Sequence, residues 1–79
     1  MVKGEDKELL KKIGDTLKKI RLGKGLSLRD LAANCSVDYS DIGKIERGET
    51  NATMLTMHQL AQGLDVPLYK LFMYEERQS

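Results

Sequence analysis

Between Ser36 and Thr50 the chain reads SVDYSDIGKIERGET, a stretch rich in side chains able to bond a charged or polar partner. If Ile42 and Ile45 turn inward at helical spacing, Ser40, Lys44 and Arg47 turn outward, with Gly43 beside them and Tyr39 at the N-terminal tip. Lysine can donate to guanine O6 or N7, and serine bonds several base edges. Tyrosine can reach a phosphate or pack on a thymine methyl. The same stretch holds four acids, Asp38, Asp41, Glu46 and Glu49, against two bases. A surface meant for a polyanion should not present four acids. Asp38 suits a helix N-cap, with Asp41 as its candidate capping-box partner, and acids there also suit the helix dipole. Glu46 lies one turn beyond Ile42, on the inward side, where a carboxylate needs a fixed cation. Glu49 has no such explanation.

Other chemistries are poorly supplied. His58 is the only histidine and Cys35 the only cysteine, so neither a zinc site nor a cysteine–histidine pair is expected. Cys35 reads as a small apolar residue beside a turn. Gly23-Lys24-Gly25 is a helix stop, not a phosphate loop. No catalysis, metal or cofactor is expected.

The elements that must position the outward set are helical. Leu9/Leu10, Ile13, Leu17 and Ile20 define an amphipathic first helix over about Asp6 to Leu22, with Gly14 beside the stripe where another helix could approach closely. Ser27, with Asp30 three residues on, starts a short second helix to Asn34 that buries Leu28 or Leu31, with Ala32 and Cys35. After Ser36-Val37-Asp38, the third helix runs to Gly48. Thr53 caps a fourth, whose apolar side is Met54, Met57, Leu60 or Ala61, and Leu64. Pro67 suits the first turn of a fifth containing Leu68, Leu71 and Phe72. No segment alternates with the period of a strand. The expected architecture is all-α: one domain over residues 1–79, five helices, frayed ends at 1–6 and 75–79, and a helix-turn-helix unit over about 27–47 joined by a three- or four-residue turn.

Seventy-nine residues, 41% hydrophobic and 32% charged, fit a single small globular domain. No run of 18 apolar residues and no signal-peptide pattern is present, so a cytoplasmic location and no membrane partner are expected. Net charge is only +1, but residues 1–29 hold nine Lys/Arg against four acids, and residues 30–79 four against eight. That asymmetry gives the chain one basic side, or a merely solvated lysine face.

The segments IGDTLKKIR (13–21), LSLRDLA (26–32), DIGKIERG (41–48) and LAQGLDV (60–66) together resemble the phage-repressor, Cro-like (XRE-type) helix-turn-helix family over about residues 10–72. The resemblance implies a five-helix, lambda-repressor-like DNA-binding fold, a structural ion pair between Arg21 and Glu46, and a recognition helix over 39–47 that reads bases in the major groove through Tyr39, Ser40 and Lys44. Helix N-termini offer free N–H groups to phosphates, which points to Ser27, Leu28 and Arg29 at one site and Thr50, Asn51 and Thr53 at another. Gly43 and Arg47 join these as backbone contacts; Gly43 reads either as a close approach to a strand or as mere tolerance in a packed helix. Two positions depart from the family pattern: Leu28 replaces a common phosphate-binding glutamine, and Glu49 a common basic residue.

The expected function is sequence-specific binding of double-stranded DNA by a small, repressor-like transcriptional regulator. The expected site is near-palindromic and occupied by a homodimer, with no small-molecule effector. Leu55, Tyr69, Met73 and Tyr74 either contact the second copy or close the core. The rival reading is a protein–protein or antitoxin-type module on the same fold, favoured by the near-neutral charge and by Glu49.

Overall fold

Apolar spacing and capping residues divide the chain into five helical pieces. In the computed structural model, which describes residues 3–75, these are α1 (Gly4–Gly23), α2 (Leu28–Ala33), α3 (Tyr39–Glu46), α4 (Met54–Leu64) and a closing 3-10 helix (Leu68–Phe72). No strand occurs among the described residues. The last element is a 3-10 helix because five residues between the Pro67 cap and Met73 leave little room for an α-helical ladder; Lys70 N–H bonds Pro67 C=O at 3.1 Å instead. Helix α1 begins at Gly4, so residues 4–6, expected to fray, are helical. The other expected frayed positions, apart from Lys3 and Glu75, lie outside the described residues.

Each inner helix starts on its expected cap. Ser27 Oγ accepts from Asp30 N–H at 3.0 Å, and Asp30 Oδ2 accepts from Ser27 N–H at 2.8 Å, a complete capping box. These bonds, the Ser27 amide first, hold the Asp30 carboxyl below the ordinary carboxylate range. Asp38 caps α3 through the Ser40 amide and hydroxyl, so the expected box with Asp41 is replaced by a bond one residue earlier. Thr53 Oγ1 accepts from Thr56 N–H at 3.1 Å and starts α4.

The core is Leu17, Leu31, Ile42, Ile45, Met57, Leu60, Ala61, Leu64 and Leu71. Leu31 occupies the centre and Leu28 is half-buried, while Leu60 and Ala61 are both buried. Met54 is not part of the apolar side: it opens α4, and at 62% exposure no neighbour covers it.

Candidate nucleic-acid interface

Helix α3 is fixed from behind before its outer face can do anything. Arg21, near the end of α1, donates from Nε and Nη2 to the two carboxylate oxygens of Glu46, at 2.6 and 2.9 Å. Its Nη1 donates to Leu26 C=O at 2.7 Å. Both side chains are buried, so the guanidinium and carboxylate meet most of each other's bonding needs out of water. The Glu46 hydrogen bond raises the Arg21 pKa further above its ordinary value. The pair forms because α1 and α3 nearly touch at Gly14. A β-carbon there would overlap the Ile45 carbonyl oxygen and lie 2.5 Å from that of Glu46.

The turn between α2 and α3 spans residues 34–38, longer than expected because α2 stops at Ala33. It is held by contact with α4: Asn34 Nδ2 reaches Gly63 C=O at 3.4 Å, and the half-buried Cys35 packs against the core there. Two helices thus cross in a fixed relation, with Tyr39, Ser40, Asp41 and Lys44 exposed along α3 and Arg47 exposed at its C-cap. Tyr39 is already engaged within the fold. The Arg29 guanidinium lies 4.5 Å from its ring centre, with Nη2 at 3.5 Å from the hydroxyl, so one side chain from each helix meets at this tip.

Among the expected phosphate contacts, Ser27 and Arg29 are exposed at the start of α2, and Asn51 and Thr53 before α4; Leu28 and Thr50 are half-buried. Gly43 does not face outward. It is buried, with Leu28 Cδ1 3.7 Å and Arg47 Nη1 3.1 Å from where its β-carbon would stand. Its missing side chain makes room for the Arg47 guanidinium.

Glu49, unexplained by the sequence, is the partner of Arg47. Arg47 Nε donates to Glu49 Oε2 at 2.8 Å and Nη2 to Oε1 at 3.3 Å. These bonds hold the Glu49 carboxyl below its usual range and raise the Arg47 pKa. The signal was the glycine between them: Gly48 has φ +72° and reverses the chain after α3, bringing two residues together that a continuing helix would separate.

At the far end, Leu55, Tyr69 and Met73 are exposed, whereas Tyr74 is half-buried with Lys12 Nζ 5.8 Å from its ring centre. Tyr74 therefore packs on α1. His58 is exposed, and no His/Cys/Asp/Glu group among the described residues could hold a metal ion. No helix among them is long and apolar enough to cross a membrane.

Residues 17–71, from within α1 to the 3-10 helix, match the helix-turn-helix family HTH_3. The chain belongs to that family. It is 40% identical over 55 residues to the HTH-type transcriptional regulator SutR of Escherichia coli, a match covering 70% of the chain but only 31% of SutR, so the chain spans about a third of that relative. Among solved structures, the restriction-modification controller protein C.AhdI of Aeromonas hydrophila superposes with a TM-score of 0.78 at 38% identity, covering 80% of this chain and 96% of that one. The controller protein C.Esp1396I, solved as a tetramer with its natural 35 base-pair operator, gives a TM-score of 0.72 at 35% identity, covering 82% and 95%.

Proposed function

We propose that the chain binds double-stranded DNA as a small transcriptional regulator, placing α3 in the major groove. The observation that carries this is an exposed face of Tyr39, Ser40 and Lys44 on a helix anchored from behind by the buried Arg21–Glu46 pair. An anchored helix presents donors at fixed positions, as base readout requires. Lys44 donates to base edges, Ser40 meets them through its hydroxyl oxygen while its proton stays hydrogen-bonded to Asp38, and Tyr39 stands at the tip with Arg29 stacked on it. Ser27, Leu28 and Arg29 form one candidate phosphate site, and Thr50, Asn51 and Thr53 a second.

A cytoplasmic homodimer on a near-palindromic operator fits this reading, since one module spans few base pairs and symmetry doubles its site. The exposed Leu55, Tyr69 and Met73 are the candidate contacts to the second copy. No effector is needed by the mechanism. The adaptor reading loses one of its supports, because Glu49 is paired and not a free acid facing DNA.

The test is fluorescence anisotropy of the full chain on random-sequence duplex DNA at two salt concentrations. Binding through several phosphates weakens steeply with salt. Absent or salt-insensitive binding sinks the proposal. Selection from a random duplex pool then reports symmetry and sequence preference together.

A further inference from the structure

The ion pair at the end of α3 lies along the helix rather than projecting from it. Two nitrogens of the Arg47 guanidinium are taken by Glu49, and the third, Nη1, rests over the bare Gly43 backbone. The carboxylate is not on a swinging loop. Glu49 N–H bonds Lys44 C=O at 2.9 Å, and Gly48 N–H bonds Ile45 C=O at 3.0 Å. Gly48 is also pressed onto α1, where a β-carbon would stand 2.8 Å from Lys11 Cα. The turn therefore delivers Glu49 to the Nε/Nη2 edge of Arg47, the edge a phosphate would take in a bidentate bond.

We infer that Glu49 is an affinity-setting residue that holds Arg47 folded back on α3, so that DNA gains Arg47 as a phosphate contact only by exchanging the carboxylate for a phosphate. This rests on the DNA-binding reading and deepens it. Both side chains are more than half exposed, so the pair is weak enough in water for exchange to be reversible. Free in solution, the pair presents no net charge at this end of the helix. A binding event that recruits Arg47 must open it and leave Glu49 unpaired near phosphates, and one that does not makes one phosphate contact fewer; either way affinity for any duplex falls.

Anisotropy titrations with random-sequence duplex DNA across a salt series, on the wild type, Glu49→Gln, Arg47→Ala and the double variant, test this. Expected is about two- to fivefold tighter binding for Glu49→Gln, the range an exposed pair supports. Its salt dependence should steepen by about one phosphate's worth of counterion release. In the Arg47→Ala background the same substitution should give a smaller gain and no change of slope. Equal gains in both backgrounds mean bare repulsion by Glu49 and overturn the inference. Unchanged or weaker binding by Glu49→Gln overturns it too, since Glu49 would then be positioning Arg47. If the folded wild type shows no salt-sensitive binding, the DNA-binding reading itself falls, an outcome distinct from the others.

Discussion

Two arginine–glutamate pairs sit on adjoining residues of one helix end, Glu46 with Arg21 and Arg47 with Glu49, and both are bidentate. Their chemistry is the same. Their surroundings are not: side-chain exposure is 7% and 5% in the first pair, 58% and 54% in the second. The buried pair joins residues 25 apart in sequence and ties α1 to α3. The exposed pair spans two residues across the Gly48 turn and ties down only its own guanidinium. Out of water, a lost partner leaves a charge with nothing to replace it; in water, solvent or a phosphate takes its place. Burial thus makes one pair part of the fold and leaves the other exchangeable.

The strongest way to break the comparison is to remove one partner from the buried pair. Arg21→Ala should cost about 3–5 kcal/mol by urea denaturation, because Glu46 is left buried without its cation. That is a large share of the roughly 5–15 kcal/mol that holds a typical domain together. Replacing both members with apolar residues of similar volume should cost much less, as a desolvated pair gives little net stability over good packing. A loss below about 1 kcal/mol for Arg21→Ala would make the buried pair no more consequential than an exposed one.

Gly14→Ala attacks the same pair without touching either member. A β-carbon at position 14 meets the backbone oxygens of Ile45 and Glu46, which cannot swing aside as a side-chain tip could. Helix α1 must back away from α3, stretching the Arg21–Glu46 bonds. Overpacking of this kind costs about 1–3 kcal/mol, against up to about 1 kcal/mol gained from alanine's better helix propensity. A net loss is expected, measured by thermal or urea unfolding. Unchanged or raised stability would mean the two helices do not oppose each other so closely.

These two pairs also divide what could be read from the sequence. The fold was legible because its signals are local and repeated: the apolar stripe of α1, the Ser27–Asp30 box, the Asp38 and Thr53 caps. Gly14 was legible as a small residue beside a stripe, and Arg21–Glu46 through the family resemblance. The HTH_3 match supports the family reading, while the base- and phosphate-contact roles stand as proposals. The second pair was hidden because residues two apart do not face each other on a helix; only the left-handed turn at Gly48 joins them. A helical wheel put Gly43 outward, but it takes no account of Leu28 and the Arg47 side chain folding over that position. Met54 was misplaced for a related reason, since periodicity marks a face but not which neighbour covers it.

The smallest expected effect sharpens the comparison from the exposed side. The Arg47 hydrogen bonds hold the Glu49 carboxyl below its usual range. A carboxyl whose folded pKa is depressed adds stability that is present above its unfolded pKa and lost as pH falls through the folded value. Wild type should therefore be slightly more stable than Glu49→Gln at neutral pH, and the gap should close on acidification through the carboxylate range. High salt at neutral pH should close it as well, because exposed charges are screened. Under that same high salt the cost of Arg21→Ala should persist, since buried charges are screened much less. Urea denaturation of both variants at low and high salt, and of Glu49→Gln at neutral and acid pH, checks each arm. A Glu49→Gln gap that survives acid and salt would mean that Glu49 acts by packing rather than charge, and the contrast between the two pairs would no longer rest on solvent.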